Sequence, residues 1–131
     1  MSNEKINKVL IKAESVENFF ARGRETAKLL DQNKTVKPRR IISFEDPRDL
    51  IKFLTAAKIN LLSTIRKHPD SLSNLAKLLN RSRAAINKDI QLLEAIGIVK
   101  SEYVANPGHG KQKIISAIDK EPIQLQVQTV I

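Results

Sequence analysis

The chain has 131 residues, with 23 Lys and Arg against 14 Asp and Glu, and a formal net charge of +9. This length suits one compact domain plus an arm and is too short for two full-sized domains. Because the sequence contains no Cys, it excludes disulfides, thiol nucleophiles and iron–sulfur clusters. The two histidines, His68 and His109, are too few for a His-rich metal site or an arguable catalytic triad. We therefore expect no enzyme activity, no cofactor and no metal.

The basic excess favours a polyanionic partner, either a nucleic acid or an anionic membrane surface. Aromatic residues make up 4% of the sequence and Trp is absent, which argues against a stacking platform for single-stranded nucleic acid. No apolar run approaches the ~20 residues that cross a bilayer, and the start, MSNEKINKVLIK, lacks the features of a secretory signal. The sequence therefore predicts a cytoplasmic protein that does not bind a membrane.

Residues 1–40 predict an N-terminal dimerisation arm that ends in a basic linker. β-Branched residues over 6–13 favour a strand. Ser15 is a suitable N-cap for a helix over about 16–30, whose apolar stripe is Val16, Phe19, Phe20, Ala27 and Leu30. A single long helix from Asn3 is the alternative.

The chain from residue 41 predicts a strand and two helices before a proline. Ile41–Phe44 is typical of a short strand, and Asp46 followed by Pro47 indicates the start of a helix. Thr55 is a suitable cap for the next helix, which ends near Lys67. The expected buried residues of the two helices are Leu50, Ile51, Phe53 and Leu54 in the first and Ile59, Leu62 and Ile65 in the second.

Two further helices joined by a three-residue turn follow Pro69. The first begins at Ser71 or Ser73, and its expected buried residues are Leu75, Leu78 and Leu79. Residues 80–82 form the turn, and Ser82 caps the second helix. Its apolar residues are spaced 4, 3 and 3 apart, which keeps them on one face: Ile86, Ile90, Leu93 and Ile96. Gly97 is suited to the left-handed conformation at the helix end.

The apolar period changes to two after Gly97. Residues 98–104 and 113–118 predict a β-hairpin around the turn 106–110. Ile123–Val130 alternates strictly and predicts a half-buried strand, which pairs either between two chains or with the leading strand of its own chain. Residues 41–131 thus predict an α+β winged helix-turn-helix domain, with a three-helix core, a hairpin wing and a closing strand.

A helix held by such a short turn projects from the surface and fits the major groove of double-stranded DNA. Asp89 and Glu94 are expected on its protein side or flank. The hairpin lysines contact phosphates in this hypothesis, whereas in the alternative they belong to an ordinary solvated turn. The predicted DNA-contacting residues are Ser71, Ser73, Arg81, Ser82, Arg83, Ala84, Asn87, Lys88, Gln91, His109, Lys111 and Lys113.

Three segments resemble a known group of proteins: RIISFEDPRDLIKFLT (40–55), SLSNLAKLLNRSRAAINKDIQLLEAIGIVK (71–100) and the closing IQLQV. The chain resembles small prokaryotic winged-helix regulators of the MarR/ArsR-like superfamily, a group that includes TumA-type antitoxins. This resemblance implies a homodimer that binds double-stranded DNA through its third helix and represses its own operon, with a toxin as possible partner. Relatives commonly carry a His or Arg pair where this sequence has Asn87 and Lys88, so the operator sequence does not transfer.

The competing hypothesis is a winged-helix module that neutralises or scaffolds a partner protein without specific DNA binding, because a fold does not fix a function. Salt discriminates between the two. A DNA-binding protein loses affinity with a log–log slope of about −0.9 per phosphate neutralised.

Overall fold

The computed structural model describes residues 9–34 and 40–127, which form two compact units. Residues 9–34, 40–53 and 121–127 belong to the first unit, and Leu54–Lys120 is the second. The elements in chain order are β1 (Val9–Ala13), α1 (Val16–Asp31), β2 (Arg40–Phe44), α2 (Pro47–Phe53), α3 (Ala56–Lys67), β3 (Asp70–Ser71), α4 (Leu72–Leu79), α5 (Arg83–Ala95), β4 (Val99–Ala105), β5 (Lys111–Ala117) and β6 (Ile123–Gln126).

A three-stranded parallel sheet organises the first unit. Strand β1 lies in the centre and pairs with both β2 and β6, so that Ile11 lies beside Ile42 and Leu125. Val9, Ile11 and the α2 residue Leu50 form its buried core. The ring centroids of Phe44 and Phe53 lie 5.6 Å apart, so that α2 packs against the end of β2.

This sheet selects one of the two predicted pairings of the closing strand. The closing strand pairs with the leading strand of its own chain, not across two chains, because β1 offers both of its edges. The units consequently differ from the predicted division at residue 40, since β2, α2 and β6 all join the first unit. Residues 6–8 and 128–130 of the two predicted strands lie outside the described residues. In α2, Ile51 is 62% exposed, so its predicted burial was wrong.

Helix α1 begins where the sequence predicts. Ser15 has extended backbone angles and its hydroxyl accepts a hydrogen bond from the Asn18 amide, as an N-cap does. Because strand β1 precedes it, the alternative of one long helix from Asn3 was wrong. The apolar stripe of α1 is not buried, however, and no residue of the helix is.

Glu14 links α1 to the sheet through a nearly buried carboxylate whose side chain is 4% exposed. It accepts hydrogen bonds from Arg22 Nη1 at 2.5 Å and from the Ser43 hydroxyl at 2.6 Å, with Lys12 Nζ at 3.3 Å. Burial raises the pKa of Glu14, but these hydrogen bonds and the Arg22 charge outweigh it and lower the pKa from 4.5 to about 2.

We expect Glu14→Gln to lower the free energy of unfolding by about 1–3 kcal/mol at pH 7, because it weakens charged hydrogen bonds. Since the folded-state pKa is depressed, this contribution is present above pH 4.5 and is lost as the pH falls towards 2. Urea unfolding at pH 7 and at pH 3, followed by circular dichroism, measures the free energy of unfolding of both proteins. The difference between wild type and Glu14→Gln should be smaller at pH 3. Glu25→Gln on exposed α1 surface is the control, and equal losses in both variants would contradict the assignment.

The second unit is a winged helix-turn-helix. Helices α3, α4 and α5 are followed by the antiparallel hairpin β4–β5, which we call the wing, and β3 adds to the other edge of β5. This confirms the predicted α+β fold class. The fully buried core residues are Leu61, Ile65, Leu75, Ile86, Ile90, Leu93, Ile98, Val99 and Ile115.

Local sequence determines the turn between α4 and α5. Asn80 adopts the left-handed conformation at φ 52°, and the Arg81 amide donates to the Ala76 carbonyl at 3.0 Å to close α4. The Ser82 hydroxyl then accepts from the Ala85 amide and caps α5. Gly97 ends α5 at φ 78°, as predicted.

Two core predictions in this unit were wrong. Ile59 is 41% exposed and Leu78 is 66% exposed, while Leu61 and Ala76 are buried. The buried face of α3 contains Leu61 and Ile65, which are four residues apart. Ile59 therefore lies beside this face and is partly exposed. None of the helices in residues 9–34 and 40–127 is long and apolar enough to span a bilayer.

Candidate nucleic-acid interface

Helix α5 divides into a buried face and an exposed polar face. Ile86, Ile90 and Leu93 are at most 1% exposed and anchor the helix in the core. The opposite face begins at the Ser82 cap, and Asn87 lies half-buried at its edge. The exposed residues of this face are Arg83, Ala84, Lys88 and Gln91, followed by Leu92 at 36% exposure. Leu92 therefore places a bulky apolar side chain at the far end of this face, whereas its first half is polar apart from Ala84.

The turn and helix α4 extend this face into an open depression. Ser73 and Lys77 line it from α4, next to Arg83 at the start of α5. Lys77 and Asn80 also line the depression and are not among the predicted contact residues. The helical spacing could have identified Lys77, because this residue follows Ser73 by four positions and therefore lies on the same face of α4.

Two of the predicted contact residues already have partners within the helix-turn-helix. Ser71 is 5% exposed, and its hydroxyl caps α4 by accepting from the Asn74 amide at 3.2 Å. Arg81 donates from Nη2 to Asp89 Oδ2 at 2.8 Å, eight residues further along the chain. Both side chains thus stabilise the helix-turn-helix, while Arg81 also lines the depression, and their predicted contact with DNA stays a prediction.

Asp89 is the centre of a small buried charge cluster. The residue is 8% exposed, and Lys58 of α3 places its Nζ 4.0 Å from Oδ1. With Arg81 on the other oxygen, one carboxylate connects α3, the turn and α5. The predicted inward position of Asp89 is confirmed. Glu94 is half-buried and accepts a hydrogen bond from the Ser101 hydroxyl of the wing.

The wing ends in a tight turn that exposes basic residues. The His109 amide donates to the Asn106 carbonyl at 2.8 Å, and Gly108 and Gly110 take positive φ angles of 83° and 77°. Side chains carrying a Cβ rarely adopt such angles, so these glycines allow the narrow tip. His109, Lys111 and Lys113 are all exposed, with the two lysines on β5.

Tyr103 on the wing is a further exposed residue that is not among the predicted contact residues. Its side chain is 67% exposed on β4, and it pairs directly across the hairpin with Lys113. The alternating strand pattern could have identified Tyr103, because it predicts which residues of a strand lie on the same face. An exposed aromatic ring beside a lysine gives the wing an apolar contact surface as well as a cationic one.

The second unit holds most of the positive charge. Leu54–Lys120 contains eleven Lys and Arg against five Asp and Glu, a net charge of +6 out of the +9 of the chain. Between Arg81 and Gln91 the single acidic residue, Asp89, is buried against Arg81 and Lys58. The exposed side of this segment is therefore cationic. Within the described residues, no group of His, Cys, Asp and Glu is placed to hold a metal ion.

Residues 53–120 match the model of the family HVO_A0114. No curated protein matches the chain. Among solved structures, the chain is similar to a possible transcriptional regulator from Methanosarcina mazei Go1, with 22% identity over 58% of this chain and 66% of that one and a TM-score of 0.46.

Two structures of ZitR from Lactococcus lactis are also similar to this chain. The one described as a zinc-responsive MarR family member has 18% identity over 81% of this chain and 68% of that one, with a TM-score of 0.47. The other is a ZitR mutant in complex with DNA, with 20% identity over 82% of this chain and 68% of that one and a TM-score of 0.46. In all three comparisons the alignment spans about two thirds of the neighbour's own length.

Proposed function

The chain belongs to the HVO_A0114 family, and from its helix-turn-helix we propose that it is a sequence-specific, double-stranded DNA-binding transcriptional regulator. The observation that supports this function best is the exposed half of α5. A helix anchored by Ile86, Ile90 and Leu93 presents small and hydrogen-bonding side chains to solvent, with no exposed acid between residues 81 and 91. Such a face suits both base edges and phosphates.

We assign direct base contacts to the first two turns of α5. Arg83 can donate two parallel hydrogen bonds to guanine, and Asn87 and Gln91 can pair in two ways with adenine. Ala84 lies between them on the exposed face, and its small side chain allows the helix backbone to approach the base edges. Lys88 supplies a phosphate contact.

Backbone contacts flank these residues on both sides. Ser73, Lys77 and Ser82 line the depression before α5, where DNA phosphates would accept their hydrogen bonds. His109, Lys111 and Lys113 lie at the wing tip and contact phosphates or the minor groove. These contacts position the helix and contribute affinity that is independent of sequence.

The protein acts as a homodimer in this proposal, with residues 1–40 in the dimerisation arm. A single winged helix offers only about 600–1,000 Å² to DNA, whereas two copies on a two-fold axis double the contact and bind half-sites ~34 Å apart. A dimer bound at its own promoter excludes polymerase, which makes the protein an autorepressor. An antitoxin role adds a toxin protein that binds away from α5.

Fluorescence anisotropy with a labelled duplex from the region upstream of the gene tests the proposal. We expect tighter binding than to a scrambled duplex of the same composition, and an affinity that falls steeply with salt. Equal affinity for the two duplexes at every salt concentration would refute sequence-specific binding.

Lys111→Ala is expected to weaken binding to the specific and the scrambled duplex alike and to reduce the salt slope by about 0.9, as one phosphate contact is lost. Lys120→Ala removes the same charge beyond the opposite end of β5 and serves as the control. An unchanged slope for Lys111→Ala, or the same reduction for Lys120→Ala, would exclude the wing tip as a phosphate contact.

Leu78 favours a second candidate, a module that docks a partner protein. Its side chain is 66% exposed on α4, on the surface of the helix-turn-helix unit. An apolar contact is almost insensitive to salt, so the same anisotropy titration separates the two functions. Leu78→Ser leaves DNA affinity unchanged if α5 and the wing bind DNA as proposed.

A further inference from the structure

Helix α1 carries an apolar stripe that residues 9–34 and 40–127 leave exposed. The stripe follows a spacing of 4, 3, 4 and 3 through Val16, Phe20, Gly23, Ala27 and Leu30, the repeat of a coiled-coil seam. Val16 is 47% exposed, Phe20 56% and Leu30 58%. A 16-residue helix with no buried residue is marginal in water unless its apolar face is packed.

The other side of α1 is already attached to the first unit. Arg22 donates to Glu14 and also lies over the Phe19 ring, with its guanidinium carbon 5.4 Å from the ring centroid. Thr26 and Leu29, one and two turns further along, are half-buried on this same side. The attachment fixes the orientation of α1 and leaves the stripe facing outwards.

We propose that the stripe packs against the same stripe of a second copy of this chain, with the two helices antiparallel and crossing at Gly23. The inference deepens the homodimer of the proposed function by naming its interface, and it rests on that proposal. A two-fold interface of this kind must be complementary to itself, since the same residues meet from both sides.

The sizes of the side chains fit such a crossing. Gly23 has open space where a Cβ would be, since no atom of the described residues lies within 4 Å of that position. Within this part of the chain, no contact therefore requires a glycine inside the helix. A glycine there costs about 1 kcal/mol relative to alanine, a cost that a close helix crossing explains. With Gly23 on the axis, Phe20 of one copy lies close to Ala27 of the other, so that a large residue meets a small one.

The charges beside the stripe select the antiparallel orientation. Glu17 lies in the first turn of α1 and Lys28 in the last, and both follow the same flank of the stripe. When two identical helices run antiparallel, equal flanks face each other, so Glu17 of each copy lies near Lys28 of the other. A parallel pair would bring neither acid near that lysine. Flanking charges of this type set helix orientation in coiled coils.

Sedimentation equilibrium of the full chain without DNA tests the crossing. We expect wild type to dimerise and Gly23→Gln to raise the dimer dissociation constant at least tenfold, while its circular dichroism stays that of a folded chain. Glu25→Gln introduces the same side chain at an exposed position on the face of α1 opposite the stripe, and it should leave the constant unchanged. A dissociation constant equal to wild type in Gly23→Gln overturns the proposal.

A charge exchange tests the orientation. Glu17→Lys and Lys28→Glu should each weaken the dimer, and the double variant should restore it, because the opposite charges then meet again across the axis. Single variants without effect, or a double variant weaker than both, overturn the antiparallel pairing. Neither of these measurements uses DNA. A chain that is monomeric at all concentrations therefore overturns this interface even if anisotropy finds sequence-specific binding. A chain that dimerises through α1 but binds both duplexes equally refutes only the DNA-binding proposal.

Discussion

Replacing Asp89 with alanine is expected to destabilise the winged helix-turn-helix unit by about 3–5 kcal/mol, because it removes the carboxylate from two buried or half-buried cations. Arg81 donates to this carboxylate at 2.8 Å, and its Nη1 is buried without a hydrogen-bond partner among the described residues. Lys58, 8% exposed on α3, lies 4.0 Å from the same group. Small domains are stable by only about 5–15 kcal/mol, so the loss is a large share of the total.

Urea denaturation followed by circular dichroism measures this effect. Glu102→Ala is the matched control, since it removes a carboxylate that binds Lys100 at 2.9 Å on the exposed wing, where an ion pair contributes about 0–1 kcal/mol. Asp89→Asn keeps a hydrogen-bonding group of the same size and should fall between the control and the alanine variant. Equal losses for Asp89→Ala and Glu102→Ala would mean that the cluster does not anchor the turn.

The helix-turn-helix is the part of the fold that could be predicted from sequence, because its determinants are local. Ser71, Asn80, Ser82 and Gly97 are caps and turn residues whose backbone preferences act within a few residues. The buried face of α5 likewise follows from the spacing of Ile86, Ile90 and Leu93. The boundaries of these elements therefore agree closely with the predictions.

The sequence left alternatives open where a distant part of the chain decides the outcome. Strand β6 reaches β1 across more than a hundred residues, and the alternation of apolar residues in β6 does not say which edge it will join. The apolar stripe of α1 shows that the helix is amphipathic but not what covers it. The exposure of Phe20 and Leu30 is thus information that only the structure provides.

Arg81 illustrates the same limit at the candidate site. Its position in the turn before α5 favours a DNA contact, and nothing local distinguishes it from Arg83 two residues later. The difference lies in Asp89, which the helical period places on the buried side, where one of the two arginines can reach it. A sequence therefore predicts which residues lie in the interface region. Which of their side chains are available to a ligand depends on partners elsewhere in the fold.

Arg83→Ala and Asn87→Ala are each expected to reduce discrimination between the operator and a scrambled duplex by about 1–3 kcal/mol, the contribution of one bidentate base contact. This corresponds to a loss of about 5- to 150-fold in the ratio of the two affinities, with a smaller change in affinity for the scrambled duplex. Fluorescence anisotropy on both duplexes at one fixed salt concentration measures the ratio.

Arg48→Ala removes the same side chain from α2, where Arg48 binds Asp46 at 2.8 Å on the surface. It controls for the general loss of one positive charge and should leave the ratio unchanged. Should Arg83→Ala lower the affinity for both duplexes by the same factor, Arg83 contacts phosphate and not a base. Should Asn87→Ala alone change the ratio, base recognition lies deeper in α5, at the half-buried edge of its exposed face. The two variants together thus locate the bases along the helix.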